Sequence, residues 1–448
     1  MNMADRLSSF VVETTFKDIP ADTVRFTKEL ALKTTAGMLA GSRLSESKKF
    51  IAYIKEKGGK SEAGIVGDSF RTSVENAILA NGFFAHISEL EDDQYPGPTS
   101  DITIFPVILP LAEKLGLSGK ELIEASVVGT EIMTRFSYYT QPRTAERGFI
   151  PLPYYGVIGA GIVAAKALKL DKEKTKATLG LSFTQGTGSY VNIGTVAHYL
   201  ESAWSCRNGW VAAEMANLGF TSGTNLEKWL ISLLGEDGVK LEAIINDIGK
   251  SPFFIHNIWI KKYPCCGLTH RQADSLFMLI KEHKFTAEDV AEIRVDVGTT
   301  DYEACNRVDP ADIESSKFSY QHILSAVMLD GEIDMDTFTD IKISDPQFKA
   351  FRPKIKLIAH PEWGGGSNAG IPRVTVRFKN GKSIMKEMDQ PIGGNKFPLT
   401  SAQIVDLYRK YTRNILTEEQ ISRTIDMTLD MENISDLSEL INIITFRN

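Results

Sequence analysis

From residue 6 to about residue 263 the chain repeats apolar residues at three- and four-residue spacing, a period that only helices bury on one side. Stretches 20–40, 71–90, 118–136, 156–168, 172–184 and 202–217 read as helices, separated by glycine, proline or Asp-Lys turns. Gly156, Gly159, Ala160, Ala164 and Ala165 form a stripe of small residues that lets helices approach closely. No run of alternating strands is expected in this half. After Thr286 the period changes. Residues 291–298 alternate as a strand through Ile293, Val295 and Val297, and a helix carrying Tyr320, Ile323, Leu324 and Val327 follows. Residues 373–378 and 383–388 then flank Lys379-Asn380-Gly381-Lys382, where Asn-Gly signals a type I′ hairpin. From Ser401 the chain is helical again. The expected fold is mainly α: a large all-helical domain from 1–268 and 399–448, and a smaller α+β domain at 269–398.

Two domains also suit 448 residues, too many for one ordinary core. A net charge of -7 argues against nucleic acid or a membrane surface as partner. The four cysteines, Cys206, Cys265, Cys266 and Cys305, contain no C-x-x-C pair and lack the spacing of a structural zinc site. The first residues carry no apolar signal-peptide region, and the most apolar stretch, 155–168, is shorter than a bilayer span. A reducing cytoplasm is the expected setting.

Gly159-Ala-Gly161-Ile-Val-Ala164 matches a dinucleotide-binding fingerprint by letter, but no strand precedes it and Asp171 comes too early for the ribose acid. A tightly packed helix is the expected reading. No phosphate loop, paired-histidine zinc motif or nucleophile elbow appears, so no metal and no cofactor is expected. Glu89, Glu91, Asp92 and Asp93 form an acidic run at the C-terminal end of an expected helix, where the helix dipole disfavours carboxylates. Helical spacing would put Glu89 on one face with Asp92 and Asp93. The run is either a solvated surface or, carried onward by Tyr95-Pro-Gly-Pro98-Thr-Ser-Asp101, part of a cleft. His198 stands just ahead of a strong helix, and a lone histidine there is more often structural than catalytic. Lys261-Lys-Tyr-Pro264-Cys-Cys266-Gly-Leu-Thr269-His270-Arg271 gathers cations, thiols and an imidazole around a turn, a composition suited to carboxylate recognition.

Taken in order, several segments resemble the MmgE/PrpD family. They are Ala80-Asn-Gly82-Phe-Phe-Ala-His86, Phe105-Pro-Val-Ile-Leu-Pro-Leu-Ala-Glu113, Trp204-Ser-Cys-Arg-Asn-Gly209, Lys261-Lys-Tyr-Pro-Cys-Cys266 with Thr269-His270, and Phe318-Ser-Tyr-Gln-His322 through Leu329-Asp-Gly331. Pro391-Ile-Gly-Gly394 and Pro398-Leu-Thr400 read like the family's late segment. The resemblance implies a homodimer with its active site between the domains, and dehydratase, decarboxylase or epimerase chemistry on small polycarboxylic acids. Several working positions are altered. The family's acidic run falls on Glu89-Leu-Glu-Asp-Asp93, keeping the first acid and replacing a threonine by Asp93. A histidine falls on the Thr99-Ser100-Asp101 segment and is lost, and another is lost at Ile150. The family lysine ahead of the 204–209 segment becomes His198, and a nearby histidine becomes Glu201. Lys261 is kept, Cys266 matches many bacterial relatives, and a tyrosine becomes His322.

Imidazoles are therefore lost at some positions and gained at two others, 198 and 322, and several of the replacements stay titratable or polar. That pattern implies altered chemistry: a cofactor-independent lyase or isomerase that abstracts a proton next to a carboxylate. The catalytic candidates are His198, His322, Glu89 and Asp93. The substrate-binding candidates are Lys261, Cys266, Arg207 and Tyr154, with Arg271 and Tyr155 behind them. The expected partner is a small carboxylate. The alternative is a non-catalytic binding or scaffold protein that kept the fold.

Overall fold

Capping residues set where the helices begin. Ser118 and Glu121 form a reciprocal capping box ahead of the Gly119–Tyr139 helix, and Thr400 with Gln403 does the same for Ser401–Thr412. Ser73 caps Val74–Ile87 and Asp171 caps Lys172–Phe183 through their side-chain oxygens. Residues 2–94, 101–186 and 188–447 are described by a computed structural model. They divide into two units: Met1–Tyr190 with Ala197–Trp259 and Leu399–Asn448, and Val191–Val196 with Ile260–Pro398.

The first unit is mainly helical. Two of its helices begin well ahead of the expected limits. One begins at Pro151 rather than 156, because prolines in a first turn lack only an N–H that the helix does not use. The other begins at Val196, so His198 lies inside its first turn rather than ahead of it. The small-residue stripe packs the Pro151–Ala167 helix against Gly119–Tyr139: a Cβ at Gly159 would stand 2.8 Å from Met133 Sδ. The fingerprint-like glycines are thus a helix-packing device. The C-terminal helices return to the Ala21–Gly41 helix, where Lys28 pairs with Glu432 at 2.7 Å and Ser401 donates to Glu29.

Strands occur in this unit too, against expectation. β1 (Ala63–Ile65) and β2 (Asp68–Thr72) form an antiparallel hairpin, too short and glycine-interrupted to show an alternating pattern. The helix expected from residue 71 consequently starts at Val74. β3 (Asp93–Gln94) pairs antiparallel with β4 (Ile258–Trp259).

The second unit is built on a four-stranded sheet. β5 (Val290–Val297) lies parallel to β6 (Ile355–Ala359) and antiparallel to β7 (Arg373–Phe378), which pairs antiparallel with β8 (Ser383–Glu387). Ile293, Val295, Val374 and Val376 share a core with Leu276 and Leu279 of the His270–His283 helix and with Ile323 and Leu324 of Tyr320–Leu329. The expected hairpin is present, but its turn is not type I′. Within the turn only Gly381 has a positive φ, of 84°, and Gly381 N donates to Phe378 O: a type I turn closed by a left-handed glycine. Residues 260–268, which the sequence pattern groups with the helices, belong to this unit. Ile260 N donates to Gly393 O at 3.0 Å, and Tyr263 Oη donates to Asp274 at 2.8 Å.

Candidate functional site

In the first unit the chemistry gathers where the Val74–Ile87 helix crosses Val196–Asn217. Gly82 makes the crossing close: a Cβ there would lie 3.0 Å from both Ala203 Cα and Cys206 Sγ. One helical turn on from Gly82, His86 faces the same neighbour. Its Nδ1 is 2.8 Å from Ser202 Oγ, and its ring centroid is 4.5 Å from that of His198 at an interplanar angle of 61°. His198, Glu201 and Ser202 share a face of their helix by the three- and four-residue rule. His198 Nδ1 is 3.6 Å from Glu201 Oε2, while Glu201 Oε1 accepts the Ser189 amide at 2.9 Å.

Glu89 reaches this group through an unusual backbone. The helix stops at Ile87, and Glu89 takes a left-handed conformation with φ 55° while its amide donates to His86 O at 2.9 Å. Its side chain is buried. His86, Glu89 and His198 each place one polar atom within 4.8 Å of the others, a constellation with the residue types and spacing to hold a metal ion.

The rest of the acidic run is divided. Because the helix has ended, Glu89, Asp92 and Asp93 do not form a helical face. Buried Lys33 donates to Leu90 O at 2.7 Å and lies 3.4 Å from Asp92. Asp92 N donates to Asp101 Oδ1 at 2.9 Å, and Thr34 donates to the other Asp101 oxygen. Burial, then the charge of Asp92, pushes the Asp101 carboxyl well above its usual range. These groups pin the run. Asp93 sits in β3 opposite Trp259 and is not a member of the His86, Glu89, His198 group. Tyr95 to Ser100, including Thr99, lie outside the described residues.

Two other candidates in this unit stand elsewhere. Arg207 follows His198 by nine residues, half a turn around the helix. It is half-exposed, with Nη2 on Asn208 Oδ1 at 2.9 Å and Nε 3.9 Å from Glu75. Tyr154 is buried among aromatics, stacked on Trp229 at 6.0 Å and tilted on Phe149 at 4.8 Å, and burial pushes its phenol well up. Tyr155 donates to or accepts from Thr144 at 2.9 Å, with its phenol pushed up to about 12 by burial.

In the second unit, Lys261 and Cys266 flank the Tyr-Pro turn, and both are buried. The turn is held by Lys262 on Asp274 at 2.7 Å and by Cys266 N on Lys317 O at 3.0 Å. Burial, then the neighbouring Cys266 thiol, raises the Cys305 thiol well above its usual value. Arg271 is a framework residue: it pairs with buried Asp301 at 3.3 Å and donates to Gly370 O at 3.1 Å. Desolvation pushes the Asp301 carboxyl up to about 6.

His322 is not brought to this turn. Tyr320 sends its hydroxyl to Leu268 O at 2.7 Å, and a residue two positions on points to the opposite side of a helix. His322 therefore enters the core, with Nε2 2.8 Å from Thr337 O and its ring 5.1 Å from Phe348. Burial lowers its pKa to about 4.

The family comparison divides the chain near the same border at 259–260, although its second match runs on into residues 399–433 of the first unit. Residues 5–228 match the MmgE/PrpD N-terminal domain, and residues 263–433 match the MmgE/PrpD C-terminal domain. The chain belongs to the MmgE/PrpD family. It is 22% identical over 455 residues to a cis-aconitate decarboxylase of Aspergillus terreus, covering 95% of this chain and 92% of that one. The Mus musculus cis-aconitate decarboxylase is 22% identical over 440 residues, 94% of this chain and 89% of the relative. The Homo sapiens enzyme of that name is 22% identical over 382 residues, 82% and 79% of the two chains. Among the described residues no helix is long and apolar enough to cross a membrane.

His86 is the member of the group that the sequence reading passed over. It ends an apolar segment and reads as core, while the His86-x-x-Glu89 spacing was the available signal.

Proposed function

We propose that this MmgE/PrpD chain is a lyase or isomerase that moves a proton next to a carboxylate of a small organic acid, using side chains alone. The observation that carries the reading is the His198–Glu201 pair. At the two positions where the resemblance puts a lysine and a histidine, this chain has a histidine and a carboxylate 3.6 Å apart. A carboxylate beside an imidazole suits a group that accepts a proton and returns it. His198 is the acid–base residue, Glu201 its positioning partner, and Glu89 with His86 completes the polar wall. Lys261 keeps the role that the resemblance gives it, holding a substrate carboxylate. His322, Arg207 and Tyr154 have packing or surface roles in this reading, and Asp93 is left out of the machinery.

The substrate differs from the tricarboxylates of the family. One cation is gone at position 198, so an acid with fewer carboxylates, or one carrying an amide, amine or ring, fits better. Calorimetry with cis-aconitate checks this, and tight binding would count against it. The same reading carries a homodimer in the cytoplasm. Light scattering at micromolar concentration tests the dimer, with a monomer as the contrary result.

The deciding experiment is proton exchange in D2O, followed by NMR over a panel of small mono-, di- and tricarboxylic acids. At least one acid should exchange the hydrogen next to its carboxylate with wild type and not with a folded His198→Ala variant. Acids that bind in a thermal-shift screen but never exchange or react would favour a binding or scaffold protein.

A further inference from the structure

Two imidazoles and one carboxylate within 4.8 Å of one another, all buried, are more than an acid–base pair needs. We propose that His86, Glu89 and His198 form a binding site for a divalent transition-metal ion of the Zn2+ class, and that the bound ion inhibits the chain by occupying His198. Binding does not depend on the acid–base reading above; the inhibition rests on it.

The chemistry of the donors selects the ion. Imidazole nitrogen with a carboxylate suits Zn2+, Fe2+ or Co2+, whereas Mg2+ and Ca2+ prefer oxygen alone. Zn2+ sits about 2.0–2.2 Å from such donors, which places tetrahedral ligands roughly 3.4 Å apart. The three donor atoms lie within 4.8 Å of one another, so modest side-chain rotation closes the site. A polar side chain also lies beside Nδ1 of each imidazole. Ser202 Oγ is 2.8 Å from that of His86, and Glu201 Oε2 is 3.6 Å from that of His198. A hydrogen bond of the Ser202 kind fixes the orientation of a metal-binding imidazole. Inhibition follows from the lone pair: an imidazole nitrogen that ligates a metal cannot accept a proton.

The test is calorimetric titration of ZnCl2 into the full-length, EDTA-washed protein, with Co2+ absorption as a second reading. One Zn2+ per chain is expected, with Co2+ d–d bands and no thiolate charge-transfer band. Ser202→Ala should weaken binding about 10–100-fold as an outer-shell loss, and His86→Gln and Glu89→Gln should weaken it further. His360→Ala, which removes a surface histidine between Asp296 and Glu362, should leave it unchanged. Wild-type affinity in folded His86→Gln and Glu89→Gln, a thiolate band, or no Zn2+ binding to wild type overturns the site. If Zn2+ binds as expected while turnover or proton exchange is unaffected by Zn2+ and by EDTA, the inhibition is overturned and the acid–base role of His198 falls with it.

Discussion

Acidification should separate a core role for His322 from a catalytic one. Burial lowers its pKa from the usual 6.5 to about 4, with the Thr337 carbonyl and Asp330 favouring the charged form and Arg352 and Lys342 opposing it. The unfolded chain then binds a proton at this residue more readily than the folded one. The stability due to a neutral His322 is complete above pH 6.5 and lost as the pH falls toward about 4, below which no more is lost. Between pH 7.5 and pH 5 this one group should cost ~2 kcal/mol, at 1.36 kcal/mol for each pKa unit. The comparison variant is His322→Gln, whose side-chain amide can still donate to Thr337 O but does not titrate in this range. Denaturant unfolding of both proteins across this pH range gives the difference directly, because every other carboxylate and histidine is common to the two. Wild type should lose ~2 kcal/mol more than the variant on going to pH 5. Parallel loss in the two proteins would refute the buried, neutral assignment. A His322→Gln variant that stays folded but loses turnover would return His322 to the catalytic set.

Three further outcomes are expected. His198→Ala should lower turnover roughly 10²–10⁴-fold with the melting temperature little changed, and His198→Lys should not rescue it, because lysine is protonated near neutral pH; a stable, fully active alanine variant removes His198 from the mechanism. Cis-aconitate and 2-methylcitrate should not be turned over at the usual enzyme rates of about 1–10³ per second, since Ile150 cannot relay a proton; steady-state assays showing such rates would refute the altered-site reading. Gly82→Ala gains about 1 kcal/mol in helix propensity but places a Cβ 3.0 Å from Ala203 Cα and Cys206 Sγ, an overpacking cost of about 1–3 kcal/mol. Calorimetric melting should therefore show a net loss, with Zn2+ affinity reduced as His86 is pushed from Ser202, and a melting temperature above wild type would contradict the close crossing.

The helices were legible because their apolar residues recur at helical spacing, and several, such as Gly119–Tyr139 and Ser401–Thr412, also carry a capping box. The Arg373–Phe378 and Ser383–Glu387 hairpin was legible because one Gly381 marks its turn. The candidate site was legible only in part. His198 and Glu89 stood out as polar groups in places that stability alone does not favour. His86 did not, because Phe83-Phe84-Ala85-His86 looks like core and its partner Ser202 lies 116 residues along the chain. The place of His322 was hidden for the converse reason: it is a titratable residue in a promising segment, turned into the core by a two-residue offset from Tyr320. The attachment of residues 260–268 to the sheet unit was hidden in a hydrogen bond from Ile260 to distant Gly393.

Glu89 sets durability against chemistry. A left-handed backbone is roughly 1–2 kcal/mol easier for glycine than for a residue with a Cβ, and asparagine also tolerates it. At φ 55° this position is therefore one where the most heat-resistant residue and the most useful one differ. Screening variants of this protein for thermal tolerance alone would tend to enrich glycine or asparagine at 89, giving sturdier molecules without the carboxylate. A library intended to harden the protein should hold position 89 fixed and look for its gains elsewhere.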